Sequence, residues 1–164
     1  MPLLMEKEIT TNRIILTNYE IFRALDDPIR GKIVQLLHKK QLNVEQITRR
    51  LKKFGYKKAV TTIRHHVEIL KDSGLIEIVK MEEARGAITK YYGSSTKLLD
   101  FTLPSDFDKN YSNLISKTSL KLNKLVSPIL KNFSKTRKIQ QINYNNFIIM
   151  EIINRAMTNL LEKK

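Results

Sequence analysis

The chain predicts a mainly α fold carrying one small β-hairpin, with a helical extension behind it. Three observations carry that prediction. Helix-start signals at Thr17, Asp27 and Asn43 each stand before an apolar stripe of helical period. Two short runs rich in Ile, Val and Tyr, residues 75–81 and 87–92, flank a polar segment ending in Gly86. Beyond Leu103-Pro104 the composition shifts toward Asn, Lys, Ser and long aliphatics that recur every three or four residues.

In chain order, residues 9–16 are β-branched and apolar, a pattern for a short strand or extended arm. Thr17 is placed to cap a short helix through Ile21, Phe22 and Leu25, with Glu20 closing a capping box. Leu16 and Ile21 take the positions of a hydrophobic staple. Asp27-Pro28 starts the next helix, Asp as N-cap and Pro at N1, where its missing N–H does no harm. Its apolar face is Ile29, Ile33, Leu36 and Leu37. Asn43 caps a third helix with Gln46 at N3; Val44, Ile47 and Leu51 form the stripe, and Gly55 marks the stop.

The stretch 61–76, T-T-I-R-H-H-V-E-I-L-K-D-S-G-L-I, organises the rest. Ile63, Val67 and Leu70 fall on one stripe, which fixes the helix to a core. Thr61, Thr62, Arg64, His65 and Lys71 fall away from it, and such side chains reach base edges and phosphates. Lys57 and Lys58 approach from the N-terminal side, where free N–H groups already attract phosphate. Gly74 ends the helix. Residues 75–81 and 87–92 then form the hairpin, with residues 82–86 as its turn and Lys80, Arg85 and Lys90 on or near it.

Composition narrows the partners. The net charge of +14 suits a polyanion, above all nucleic acid. A hydrophobic content of 41% is enough for a real core and argues against global disorder. The absence of cysteine removes disulfides and zinc–thiolate sites and fits a reducing cytoplasm. No apolar run approaches the ~18 residues of a membrane span, and Glu6 and Glu8 interrupt any signal-peptide core after residues 1–5. His65 and His66 point about 100° apart on a helix and His38 lies on another, so no metal site is expected. No phosphate-binding loop, dinucleotide fingerprint or nucleophile–base pairing occurs, so neither enzymatic activity nor a cofactor is expected.

The order A-L-D-D-P-I-R, N-V-E-Q-I-T-R-R-L, T-T-I-R-H-H-V-E-I-L-K-D-S-G-L-I and R-G-A-I-T-K-Y-Y resembles the ArsR-like winged helix-turn-helix regulators over about residues 19–99. The resemblance implies a helix at 61–73 in the DNA major groove and a β-wing at 75–92 on flanking DNA. It also puts Thr61, Thr62, Arg64 and His65 on base- and phosphate-contacting positions. The chain departs from the pattern in its longer turn at 55–60, its acidic Glu82 and Glu83 in the wing, and its lack of metal-sensing cysteines. DNA binding without metal sensing is what remains.

In the extension, Phe107, Tyr111, Leu114, Thr118, Leu122, Leu125 and Ile129 recur at threes and fours, with Ser127-Pro128 placed to restart or kink the helix. Residues 133–137 read as a connection. A last helix follows at about 139–161, with a seam of Ile142, Asn146, Ile149, Ile153, Ala156 and Leu160 and a second stripe of Phe147, Ile148 and Ile152. Two apolar faces need cover on more than one side, so Phe147, Ile149, Ile152, Ile153, Ala156 and Leu160 are expected at a homodimer interface. The expected organisation is a winged helix-turn-helix domain with an N-terminal arm at 1–103 and a helical dimerisation region at 104–164.

The expected function is therefore a cytoplasmic, nucleoid-associated, dimeric regulator of transcription that reads double-stranded DNA. Its DNA-binding set is Lys57, Lys58, Thr61, Thr62, Arg64, His65, Lys71, Lys80, Arg85 and Lys90. Two other readings fit the composition: a less specific architectural nucleic-acid binder, and a winged-helix module for protein interaction.

Overall fold

The computed structural model describes residues 11, 14–133 and 139–162. The reading of residues 1–5 as no signal peptide lies outside them, as do most of the expected connection at 133–137 and half of the segment 9–16. The chain divides into two compact units, one of them spanning Thr17–Phe101 and the other containing the C-terminal helices.

Within Thr17–Phe101 the order is α1 (Tyr19–Ala24), α2 (Pro28–Leu37), α3 (Val44–Lys53), α4 (Val60–Asp72), β1 (Glu77–Ala84) and β2 (Ala87–Gly93). The α1 cap is Asn18, whose side chain accepts from the Ile21 N–H, and not Thr17, whose hydroxyl donates to the Asn18 carbonyl. That shift of one residue removes both the Thr17 capping box and the Leu16–Ile21 staple. Asp27 caps α2 as expected, accepting from the Ile29 N–H at 2.8 Å. At α3 the capping box is complete: Asn43 accepts from the Gln46 N–H at 2.8 Å, and the Gln46 side chain accepts from the Asn43 N–H at 3.0 Å.

Both α3 and α4 close on a glycine with positive φ, Gly55 and Gly74. At α4 the Gly74 N–H reaches the Lys71 carbonyl and the Leu75 N–H reaches back to Leu70, the paired bonds of a Schellman end. Leu70 and Leu75 are both buried, so the hydrophobic contact that accompanies this motif is available. The chain leaves α4 directed into the core before β1 begins. Leu75 and Ile76 are consequently core residues ahead of the strand, not its first two residues.

The core is the meeting of α2, α3 and α4. Ile33, Val34 and Leu37 of α2, Ile47 and Leu51 of α3, and Ile63, Val67 and Leu70 of α4 are the fully buried large side chains. Each contributes about 1.5–3 kcal/mol of transfer free energy, which fixes the three helices as one body. The expected stripes of α2, α3 and α4 are all in this set or buried beside it, with Val34 and Thr48 added. The Thr48 hydroxyl satisfies itself on the Val44 carbonyl at 2.8 Å.

β1 and β2 pair antiparallel from Glu77↔Gly93 to Ala84↔Ala87, with an irregularity between Ile78 and Lys80. The turn is only Arg85-Gly86, with φ of 53° and 76°. Two positive φ values mark the tight hairpin turn whose twist matches the strands. Glu82, Glu83 and Ala84 therefore belong to β1, not to the turn. The hairpin is tied to the α2–α3 connection by reciprocal backbone bonds between Leu42 and Tyr92, at 3.0 and 2.9 Å.

The C-terminal unit holds α5 (Phe107–Asn132) and α6 (Ile139–Leu161). α5 runs through Pro128 without a restart. No residue of α5 is buried, and α6 buries only Asn145 and Ile149. Among the described residues no helix is long and apolar enough to cross a membrane.

Candidate nucleic-acid interface

The site is built on α4. Its buried stripe is Ile63, His66, Val67 and Leu70, which leaves Thr61, Thr62, Arg64 and His65 exposed on the opposite face. The helix begins at Val60, one residue earlier than expected, and ends at Asp72 with Ser73 as C-cap. Its N-cap is Ala59, so no side chain caps the first-turn N–H groups. Lys57 and Lys58 are exposed immediately before it. Two lysines, an uncapped helix end and two hydroxyls thus share one end of α4.

Arg64 lies 3.6 Å, Nη2 to Oε1, from Glu45 in the first turn of α3, with both side chains more than half exposed. The two line a cleft of about 290 Å³ with Glu68 on α4 and with Ile88, Thr89 and Lys90 on β2. Lys71 sits apart, on the C-terminal turn of α4, bonded to Glu68 and 3.7 Å from Asp72. The hydrogen bond that Lys71 donates to Glu68 raises the Lys71 pKa.

On the wing, Arg85 stands at the tip and Lys90 is exposed on β2. Lys80 is engaged locally. It is ion-paired to Glu82 and stands 5.1 Å from the centroid of the Tyr91 ring, while the Tyr91 hydroxyl donates to Glu82 at 2.7 Å. The Lys80 bond, followed by the Tyr91 bond, lowers the Glu82 pKa, and the bond to Glu82 raises that of Lys80. The predicted cations thus separate into three toward the start of α4 (Lys57, Lys58 and Arg64, the last paired with Glu45 across to α3), two on the wing (Arg85, Lys90), and two paired within their own element (Lys71, Lys80).

Two groups on α4 and its neighbours were not singled out from the sequence as contributors. Glu45 meets Arg64 only because the capping box sets the start of α3, and no linear spacing signals that meeting. His66 is buried at the edge of the core and links α4 to α2. Arg30 Nη1 lies 3.4 Å from His66 Nδ1, and Asp27 Oδ2 lies 3.8 Å from Nε2. Arg30 also donates to the Ala24 and Arg23 carbonyls. Desolvation lowers the His66 pKa, only partly offset by Asp27. Among the described residues no group of three or more His, Cys, Asp or Glu is placed to hold a metal ion.

Residues 25–79 match the model of a family described as a helix-turn-helix domain. One solved structure similar to this chain is the solution NMR structure of the homodimeric winged helix-turn-helix DNA-binding domain (fragment 1-100) Mb0332 from Mycobacterium bovis, described as a possible ArsR-family transcriptional regulator. It is 20% identical, with 64% of this chain and 81% of that chain covered and a TM-score of 0.35. No curated protein matches the chain. The family match takes in α2, α3 and α4 entire and reaches the start of β1. Residues 25–79 are thus similar to that helix-turn-helix family, and in this chain the β1–β2 hairpin follows directly on them.

Proposed function

We propose that the protein is a sequence-specific regulator of transcription that binds duplex DNA with α4 in the major groove. The observation that carries this reading is the division of α4 itself. One face is locked into the core, and the other lifts Thr61, Thr62, Arg64 and His65 clear of it at an uncapped helix end. Helix-turn-helix proteins read bases from the N-terminal part of this helix. Lys57, Lys58 and the first-turn N–H groups would take phosphates; Arg64 and His65 would face base edges. Arg85 and Lys90 would let the wing reach flanking backbone. Lys71 and Lys80, already paired with carboxylates, contribute least to this set.

The DNA-binding module of the proposal comprises residues 1–103 and the assembly module residues 104–164. The second module is assigned to homodimerisation because its helices leave large apolar side chains uncovered in one subunit. Phe147 is 42% exposed, Ile152 44% and Leu160 64%. Ala156 is also exposed, whereas Ile153 is half-buried and Ile149 is already buried within its own chain. The proposed interface therefore centres on Phe147, Ile152, Ala156 and Leu160, with Ile149 and Ile153 beneath it.

Selection of bound fragments from random duplex DNA tests the reading. A recurrent motif, bound more tightly than random duplex at the same salt, supports it. Equal affinity for every duplex would instead favour the architectural binder, which the charge of +14 also permits.

A further inference from the structure

Arg64 does not project alone from α4. The Glu45 carboxylate stands 3.6 Å from its Nη2. Glu45 belongs to the first turn of α3, whose start is fixed by the reciprocal Asn43–Gln46 bonds, so the carboxylate is carried on a rigid element. The other acid lining this cleft, Glu68, is bonded to Lys71.

Building on the DNA-reading assignment above, we infer that Glu45 is a positioning residue that sets the base specificity of Arg64. A guanidinium carries five donors in a planar fork. A carboxylate on one edge offsets its charge and limits its rotation, while the other edge stays free to bond O6 and N7 of a guanine. A backbone phosphate offers Arg64 mainly charge attraction, and near this site it also meets the negative Glu45. A correct base offers two directed bonds and carries no net charge of its own. Glu45 therefore weakens sequence-independent binding more than sequence-specific binding. An exposed ion pair contributes little to folding, so the consequence falls on ligand choice and not on stability.

The test uses the full chain with selected and random duplexes over a salt series. Glu45→Gln should tighten binding to random duplex by roughly 1.5- to fivefold, the span of an exposed pair. Its log–log salt slope there should steepen by about 0.9, one further phosphate. The selected duplex should gain less, so the specificity ratio falls. In an Arg64→Ala background the same Glu45 change should leave the ratio unaltered, because the effect acts through Arg64. An unchanged ratio for Glu45→Gln alone, or an equal drop with and without Arg64, overturns the inference. Binding of the parent to no duplex at all would be distinct from either result, and would remove the DNA reading together with this inference. Thermal melts of each variant identify any loss of affinity that comes from unfolding.

Discussion

His66 on α4 receives Arg30 of α2 at its Nδ1, 3.4 Å away, and turns its Nε2 toward Asp27, the residue that caps α2. Arginine can only donate, so Nδ1 accepts and the neutral ring carries its proton on Nε2. A second proton would have to enter at Nδ1, against a guanidinium and in a desolvated place. Arg30, His65 and Lys58 oppose that charge, and Asp27 alone favours it.

The folded protein should therefore lose stability on acidification. The folded His66 pKa lies below the ordinary 6.5, so the unfolded chain binds the proton first. The stabilisation is fully present above about 6.5 and is lost as the pH falls from there through the folded pKa. Thermal melts between about pH 7.5 and pH 5 should show a falling midpoint in the parent and a shallower fall in His66→Gln. Equal slopes would assign the acid sensitivity to other groups.

DNA affinity should depend steeply on salt. If Lys57, Lys58 and their neighbours neutralise about six phosphates, the log–log slope should be near −5. A flat dependence, or no binding in dilute salt, would contradict a backbone-tracking basic face.

Arg64→Ala and His65→Ala should reduce discrimination between sites while leaving the fold intact, since both side chains lie off the buried stripe. Each direct base contact removed would reduce discrimination by about 1–3 kcal/mol. Ile63→Ala should behave oppositely, lowering stability by about 2–5 kcal/mol from a site that is 1% exposed. Competition binding and melts on the three variants separate the two classes. A parent-like specificity ratio for Arg64→Ala would deny it a reading role.

Truncation before Asp106 should leave a folded winged domain that is mainly monomeric and binds its site weakly. The compact unit Thr17–Phe101 has its own core, which supports independent folding. Two linked heads gain effective concentration on an inverted repeat, with half-sites about 34–36 Å apart or a multiple of that. Phe147→Glu or Ile152→Glu in the full chain should also shift it toward monomer. Sedimentation of the parent as a monomer at micromolar concentration, or of the truncation as an equally strong dimer, would reject the assignment.

Much of the winged domain was readable from the sequence because its signals are local and its stripes regular. Asp27, Asn43 with Gln46, and Gly74 act on backbone within a few residues, and the Ile63–Val67–Leu70 spacing has one solution. Where two adjacent residues can do the same job, the sequence left a shift of one, as with Thr17 and Asn18. In the hairpin, polar Glu82 and Glu83 looked like a turn. Lys80 and Tyr91 bonds hold Glu82 in an exposed strand instead, and Arg85 accepts the positive φ. The Arg64–Glu45 and Arg30–His66 pairings join different helices, and nothing in linear order announces them. In the extension, Asn145 took the buried place beside Gln141, while Asn146 of the expected seam is exposed.

The Leu42–Tyr92 bonds make the hairpin a cantilever. Its root is clamped at the α2–α3 connection, and beyond that clamp β1 runs on about 20 Å to the tip at Arg85-Gly86, at 3.3 Å per residue, with Ile88, Thr89 and Lys90 of β2 bordering the cleft to α3 and α4. A beam held at one end bends most at its tip and transmits that bending as torque at its root. Load on Arg85 would therefore be felt first at the joint leading into α3, and from there at the helix that carries Glu45. Lengthening the tip by inserted residues should change the reach of the arm while leaving the joint and the three-helix core undisturbed.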